Sequence, residues 1–121
     1  MRAKDRTGLM GEERAAEYLD SCGHSVLARR WRSRTGELDL VTRDGDELVA
    51  VEVKTRRGTG YGHPFEAVTA QKLRRLHRLL AEFASGQAHW PAKRRVDVVS
   101  VLMLRRSDTA SGAFIEHLKD V

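Results

Sequence analysis

The sequence predicts an α/β domain in which a mixed β-sheet is flanked by two main helices. Two features of the apolar pattern indicate this class: segments that alternate between apolar and polar residues, and two segments with helical periodicity. These segments follow one another in the order α-β-β-β-α-β-β, which favours helices packed on a sheet. The chain has 121 residues, the usual size of one domain, so we expect residues 1–121 to form a single domain.

Composition narrows the class of protein. Charged residues make up 32% of the chain and apolar residues 40%, which favours a globular fold over a disordered or membrane-spanning chain. The longest nearly apolar segment, 98–104, is far shorter than the roughly 20 residues that a membrane helix needs. Cys22 is the single cysteine, which excludes an internal disulfide and a zinc site built from several cysteines. Because the first residues do not resemble a secretory signal, we expect a cytoplasmic protein without a membrane partner.

The first helix and the first strand follow from periodicity and from their flanking residues. Residues 9–21 are predicted to be helical because their apolar residues recur at helical spacing. Thr7 is a candidate N-cap, and Gly23 lies where helices commonly end in the left-handed conformation. A strand is predicted over residues 24–32.

Two strictly alternating segments predict an antiparallel hairpin. They cover residues 37–41 and 49–54, and Asp44-Gly45-Asp46 between them is a strong turn signal. Alternation is expected to place Leu38 and Leu40 on one face of the first strand. The valines of the second strand are likewise expected to share a face.

The polar faces of this hairpin carry Glu37, Asp39, Glu52 and Lys54. A loop of two or four residues puts Asp39 and Glu52 on the same face; we expect a four-residue loop to make them direct neighbours and a two-residue loop to leave them diagonal. Two adjacent carboxylates repel each other unless a cation lies between them. A hard divalent ion suits such ligands, and Mg²⁺ (or Mn²⁺) is the common choice when the substrate is a phosphate. Lys54 lies where it can position or deprotonate a water molecule, or offset charge on a phosphate.

One long helix and two strands complete the predicted fold. Residues 69–85 carry an apolar stripe opposite a face rich in arginine, and Gly86 is expected to end this helix. Strands are predicted over 96–104 and 114–118. The glycine-rich segment 58–64 is expected to be a loop.

The hairpin residues resemble a known nuclease signature. Asp39 followed by Glu52-Val53-Lys54 is similar to the PD-(D/E)-x-K signature, in the variant that lacks the proline. More specifically, the chain resembles the YraN family, an uncharacterised bacterial group that is itself similar to archaeal Holliday-junction resolvases. The segments that carry this resemblance are Gly11-Glu12, Gly36-Glu37-Leu38-Asp39-Leu40-Val41, Val51-Glu52-Val53-Lys54-Thr55-Arg56 and Arg95-Val96-Asp97-Val98-Val99. The resemblance covers residues 8–104 and implies a nuclease-like domain with a restriction-endonuclease-like core.

The resemblance also implies a role for each residue of the signature. Asp39 and Glu52 are expected to ligate Mg²⁺ (or Mn²⁺), helped by the main-chain carbonyl of Val53. Lys54 is the expected catalytic lysine. The acid that the resolvases place in their first helix matches Glu12, so Glu12, Asp39, Glu52 and Lys54 form the expected catalytic set.

Three positions leave alternatives open. Glu13 is the rival of Glu12, because successive helical residues point about 100° apart. Glu37 is either a further metal ligand or the partner of an arginine at the rim of the site. Lys72 lies near the start of the second helix on its apolar side, and its ammonium points either to the acidic face or to solvent.

Basic residues give the chain a net charge of +5, which favours a polyanionic partner, with nucleic acid as the first candidate. Several contacts to phosphates would give an affinity that falls steeply with salt. Trp31, within one basic group, either stacks on a base or packs in the core. The residues expected to contact the nucleic acid are Arg32, Arg34, Arg56, Arg57, Lys72 and Arg75.

Together these features predict a Mg²⁺-dependent endonuclease that hydrolyses phosphodiester bonds in DNA, with branched or repair intermediates as candidate substrates. The resemblance implies 5′-phosphate and 3′-hydroxyl products, and the resolvases imply a homodimer. One alternative is a non-catalytic nucleic-acid-binding module that keeps the nuclease fold. Another is an interaction protein whose basic surface docks an acidic partner.

Overall fold

The structure, a computed structural model, describes residues 3–57, 68–87, 93–103 and 113–121, which form two helices and five strands. In chain order the elements are α1 (Ala3–Ser21), β1 (Ser25–Ser33), β2 (Gly36–Asp44), β3 (Glu47–Arg57), α2 (Ala70–Ser85), β4 (Lys93–Met103) and β5 (Ala113–Leu118). The strands form one sheet in this order, with β3 and β4 parallel and the other neighbours antiparallel. The predicted α/β class, mixed sheet and order of elements are confirmed. Neither helix of the described residues is long and apolar enough to cross a membrane.

The first helix extends beyond its predicted start. α1 begins at Ala3, so Thr7 lies inside the helix and is not its N-cap. The extra residues hold few apolar side chains, so periodicity gave no signal there. Gly23 has a φ of 91°, as predicted for the residue that ends the helix. The glycine-rich segment 58–64 and Leu104, the last residue of one predicted strand, lie outside the described residues.

α2 covers one face of the sheet. Thr69 caps the helix by accepting a hydrogen bond from the main-chain nitrogen of Lys72, and Gly86 ends it, as predicted. Trp31 packs edge-on against Phe83, with ring centroids 5.5 Å apart, so it belongs to the core on this side. The other buried residues of this core are Leu38, Val41, Leu48, Ala50, Leu76, Leu79, Leu80, Ala84 and Val96.

α1 covers the opposite face of the sheet. Val49 and Val51 of β3 face α1 while Ala50 between them faces α2, as the alternation predicted. α1 crosses β3 at Gly11, where a Cβ atom would lie only 1.9 Å from Oγ1 of Thr55. The other buried residues of this core are Ala15, Ala16, Leu19, Leu40, Val99, Val101 and Met103.

The turn between β2 and β3 corrects one expectation about the hairpin. Asp44 pairs with Glu47, so the loop has two residues, and Gly45 within it adopts a φ of 62°. The same register, continued past the last pair, sets Asp39 directly opposite Glu52. The expectation that a two-residue loop leaves these acids diagonal is therefore wrong. The reason is that Gly45 and Asp46 form the loop, so Asp44 still pairs with Glu47 across the hairpin.

A second correction concerns alternation in β2. Leu38 packs in the core under α2 and Leu40 in the core under α1, so the prediction that they share a face is wrong. In β1, Arg30 has a φ of 51°, a conformation that residues other than glycine rarely adopt. Its two chain neighbours pair with Leu38 and Leu40, so Arg30 lies opposite Asp39. Regular alternation therefore breaks in both strands beside Asp39.

Candidate active site

Asp39 and Glu52 meet where the ladder between β2 and β3 ends. The last pair of that ladder joins Leu40 to Val51, and beyond it the Asp39 carboxylate accepts a hydrogen bond from the main-chain nitrogen of Val53 at 2.9 Å. The carboxyl groups of Asp39 and Glu52 are within hydrogen-bonding reach of each other. Glu52 is buried, with 8% of its side chain exposed. The structure thus brings together the two acids that the sequence paired.

Burial and mutual repulsion determine the electrostatics of this pair. Burial raises the pKa of Asp39 to about 7, and the negative charges of Glu52 and Glu12 act in the same direction. The hydrogen bond from Val53 opposes this shift. Near neutral pH the Asp39 carboxyl therefore holds a proton for much of the time. A bound cation can replace that proton.

Two ammonium groups contact Glu52. Nζ of Lys54 lies 3.2 Å from Oε2 of Glu52, and Nζ of Lys72 contacts the same oxygen. Although burial raises the pKa of Glu52, these two ammonium groups bring it below its ordinary value. The contact decides the alternative for Lys72, whose ammonium points to the acidic residues.

α1 brings Glu12, and not Glu13, to the site. Glu12 lines the same cleft as Asp39, and it accepts a hydrogen bond from Nε of Arg30 at 3.0 Å. Glu13 forms an exposed ion pair with Arg29, with 2.6 Å between Oε2 and Nη1. Of the two rival acids, Glu12 is therefore the one that the structure places near Asp39.

An open cleft of 880 Å³ lies between α1 and the ends of β2 and β3. Its volume falls within the roughly 300–1,000 Å³ typical of ligand sites. Arg57 is held at this cleft by a hydrogen bond from its Nε to Oγ1 of Thr7 at 3.0 Å. The residues that line the cleft are Thr7, Gly8, Glu12, Asp39, Val53, Thr55, Arg56 and Arg57.

Oxygen donors of this kind fit a hard divalent ion. Mg²⁺ usually takes one or two carboxylates from a protein and keeps several waters. Asp39 and Glu52 supply two adjacent carboxylates, and Val53 lines the cleft with Asp39. Among the described residues, no three acidic, histidine or cysteine side chains are grouped closely enough to hold an ion by themselves. Glu12 therefore lines the cleft but does not form a three-residue metal site with Asp39 and Glu52.

Among the residues that the structure describes, four other predicted residues do not line the cleft: Arg32, Arg34, Glu37 and Arg75. Oε2 of Glu37 is 3.6 Å from Nε of Arg32, and both side chains are exposed, so Glu37 partners an arginine. Arg34 is exposed in the turn between β1 and β2. Arg75 is exposed on α2.

A second polar cluster was not predicted from the sequence. Asp97 of β4 is fully buried, and it accepts a hydrogen bond from Nε of Arg95 at 3.0 Å. The same guanidinium binds Asp44 and Glu47 at the hairpin turn, at 2.8 and 3.1 Å. Oδ2 of Asp97 also lies 2.8 Å from Nε2 of His117 in β5. Although burial raises the pKa of Asp97, these partners lower it to about 2.

This cluster serves the fold, since its charged groups bind one another and join separate elements. It ties the hairpin turn to β4 and β5, and Tyr18 of α1 joins it through a 2.9 Å hydrogen bond between its hydroxyl and Nδ1 of His117. One signal for it exists in the sequence. Arg95 and Asp97 are charged residues of opposite sign, two apart, at the start of an otherwise apolar strand.

Comparison with known proteins identifies the family. The model of the family described as "Uncharacterised protein family UPF0102" matches residues 11–101. The chain is 50% identical over 121 residues to a UPF0102 protein of Arthrobacter sp. (strain FB24), covering 100% of this chain and 99% of that relative. It is 51% identical to the UPF0102 protein of Paenarthrobacter aurescens, covering 100% and 97% of the two chains. A UPF0102 protein of Frankia alni is 50% identical over 101 residues, which is 84% of each chain.

The matched segment includes Glu12, Asp39, Glu52, Lys54 and Lys72. It also includes the four segments on which the resemblance to the YraN family rests. The family prediction is therefore confirmed, and the chain belongs to the UPF0102 family.

Proposed function

We propose that this protein is a Mg²⁺-dependent endonuclease that hydrolyses phosphodiester bonds in DNA, with branched or repair intermediates as its substrates. The observation that carries the proposal is the hydrogen bond that holds Asp39 to the residue after Glu52 at the end of the β2–β3 ladder, with Lys54 on Glu52. Membership of the PD-(D/E)-x-K nuclease superfamily, with its likeness to archaeal Holliday-junction resolvases, is part of the proposal. It is supported by the positions of the signature residues on β2 and β3 of a mixed sheet.

The carboxylates of Asp39 and Glu52 would hold Mg²⁺ (or Mn²⁺) with the main-chain carbonyl of Val53, and Glu12 would approach from the α1 side of the cleft. When bound, such an ion polarises a phosphate oxygen and makes a nearby water more acidic. Asp39, whose pKa is about 7, gives up its proton when it becomes a ligand.

The basic residues would act on the phosphates. Lys54, held beside Glu52, donates to the reacting phosphate as negative charge develops on its oxygens. Arg56 and Arg57 line the cleft together with Asp39 and neutralise the adjacent phosphates of the strand. Exposed Arg32, Arg34 and Arg75 add sequence-independent contacts to the backbone beyond the cleft.

The net charge of +5 supports a polyanionic substrate. A cytoplasmic location agrees with a substrate of chromosomal DNA. A homodimer suits a four-way junction, in which two strands are cut. Both belong to the proposal; the homodimer follows from the resemblance to the resolvases, and the cytoplasmic location from the sequence pattern of the first residues.

A cleavage assay tests this function. End-labelled duplex, flap, single-stranded and four-way DNA are incubated with the native protein and Mg²⁺ or Mn²⁺, and the products are separated on denaturing gels. We expect cutting that requires the divalent ion and that falls at least about a hundredfold in Glu52→Gln and in Lys54→Ala. Glu13→Gln, which removes an exposed acid of α1 outside the cleft, is the matched control and retains activity.

Cleavage that persists in a chelator, or in both variants, would contradict the proposal. Salt-sensitive DNA binding without cleavage under any divalent ion would instead indicate a non-catalytic nucleic-acid-binding module.

A further inference from the structure

Lys72 contacts one of the two carboxylate oxygens through which Glu52 could ligate a metal. Its ammonium contacts Oε2 of Glu52, the same oxygen that Lys54 contacts from 3.2 Å. A divalent cation at this oxygen would be repelled at short range by both ammonium groups. Oε2 of Glu52 therefore becomes a metal ligand only when at least one of the two lysines moves away.

Lys72 reaches Glu52 from a separate element, α2. Its side chain is 33% exposed, whereas Glu52 is 8% exposed and is fixed on the central strand β3. The main chain of Lys72 is held by the Thr69 cap at the start of α2, so the side chain can swing without disturbing the helix. The four-carbon stem of a lysine is flexible, and its ammonium binds a phosphate as readily as a carboxylate.

Lys54 differs from Lys72 in the element that carries it. It lies on β3 two residues from Glu52, and its side chain is 25% exposed. Because Lys54 and Glu52 lie on the same strand, the distance between their Cα atoms is fixed. Lys72, on a separate helix, can exchange the Glu52 carboxylate for a phosphate when its side chain rotates.

We infer that Lys72 is a resident counter-cation that occupies the metal position at Glu52 and couples metal binding to the binding of a nucleic-acid phosphate. The inference rests on the proposed function. A phosphodiester entering the site attracts the Lys72 ammonium, which leaves Glu52, and the carboxylate becomes available to the metal. By linkage, the metal and the nucleic acid each raise the affinity for the other by the same factor.

The test measures two affinities separately on the full chain. Mn²⁺ binding is followed by calorimetry without DNA, and binding of a fluorescent DNA duplex is followed by anisotropy in a chelator, so that no cleavage occurs. The variants are Lys72→Met and Lys72→Gln, with Arg78→Met as a control that removes one positive charge from an exposed position of α2. Thermal unfolding and circular dichroism establish that each variant is folded.

We expect Lys72→Met and Lys72→Gln to bind Mn²⁺ about tenfold more tightly than the native protein and to bind the duplex more weakly. Arg78→Met should leave the Mn²⁺ affinity within about twofold of native. Equal Mn²⁺ affinity in the native protein and both Lys72 variants overturns the inference and leaves the proposed function intact. Absence of Mn²⁺ binding in all the proteins overturns both.

Discussion

The Asp39 carboxylate accepts a hydrogen bond from the main-chain nitrogen of Val53 at 2.9 Å, at the point where β2 and β3 cease to pair. The side chain of one strand thus binds a backbone donor of the other after the ladder has ended. This contact binds Asp39 to the backbone amide of the residue that follows Glu52. The geometry of the acid pair therefore depends on the register of the hairpin.

The raised pKa of Asp39 predicts a pH-dependent stability. Its pKa is about 7 in the folded protein and 3.8 as the ordinary value, so between these pH values the folded state binds more protons than the unfolded state. Stability should therefore fall as the pH rises from 4 to 7. Asp39→Asn removes the buried charge and should raise the free energy of unfolding by about 1–3 kcal/mol at pH 8.

Urea unfolding without divalent ions at pH 8 and at pH 4 measures this effect. At pH 4 the difference between Asp39→Asn and the native protein should be much smaller. Glu13→Gln, which changes an exposed acid, should show no such dependence. A variant that is less stable than the native protein at pH 8 would show that the buried charge is not destabilising.

The different positions of Glu12 and Glu13 predict different effects on catalysis. Glu12→Gln removes a charge that faces the cleft and should lower the cleavage rate about tenfold or more. Glu13→Gln alters only an exposed ion pair with Arg29 and should retain the native rate. Single-turnover cleavage with Mg²⁺ measures both rates. Equal losses in the two variants would mean that the cleft does not distinguish these acids.

The approach of α1 to β3 at Gly11 predicts a steric effect. A Cβ at this position would lie 1.9 Å from Oγ1 of Thr55, so Gly11→Ala should push the helix from the sheet and cost about 1–3 kcal/mol of stability. The shift should also displace Glu12, the next residue of the helix.

Gly8→Ala is the matched control, since nothing lies within 4 Å of a Cβ there. It should be neutral, or stabilising by up to about 1 kcal/mol, because alanine favours the helix. Denaturant unfolding of the two variants compares the sites. Equal stability of Gly11→Ala and Gly8→Ala would contradict the close contact.

The buried cluster around Asp97 predicts a loss of stability on neutralisation. Asp97→Asn weakens the ion pair with Arg95 and the contact with His117, and should cost about 3 kcal/mol at pH 7. The folded-state pKa of Asp97 is about 2, below the ordinary 3.8, so its charge stabilises the fold above pH 4. The difference between native and variant should shrink as the pH falls from 4 to 2.

Chemical unfolding at pH 7, 4 and 2 measures this difference, with Asp46→Asn in the exposed turn as control. Metal binding by Asp97→Asn should match the native protein wherever the variant is folded, because the partners of Arg95 and Asp97 lie in the hairpin turn and in β5. A difference that stays constant from pH 7 to pH 2 would show that the charge of Asp97 is not the source of the effect.

Several features of the molecule were determined by local sequence patterns. The apolar alternation of β3 predicted that Val49 and Val51 lie opposite Ala50, and the structure has this arrangement. Periodicity likewise predicted both helices and the order of elements. These predictions hold because the periods of strands and helices are set by backbone geometry within a few residues.

Only the tertiary structure decided the features that depend on partners far apart in the chain. The break in alternation beside Asp39 involves Arg30 of another strand, and the contact of Lys72 with Glu52 joins α2 to β3. The partners of Asp97 come from the hairpin turn and from β5. Because a local period carries no information on which side chains meet across elements, these contacts emerge only when the helices pack on the sheet.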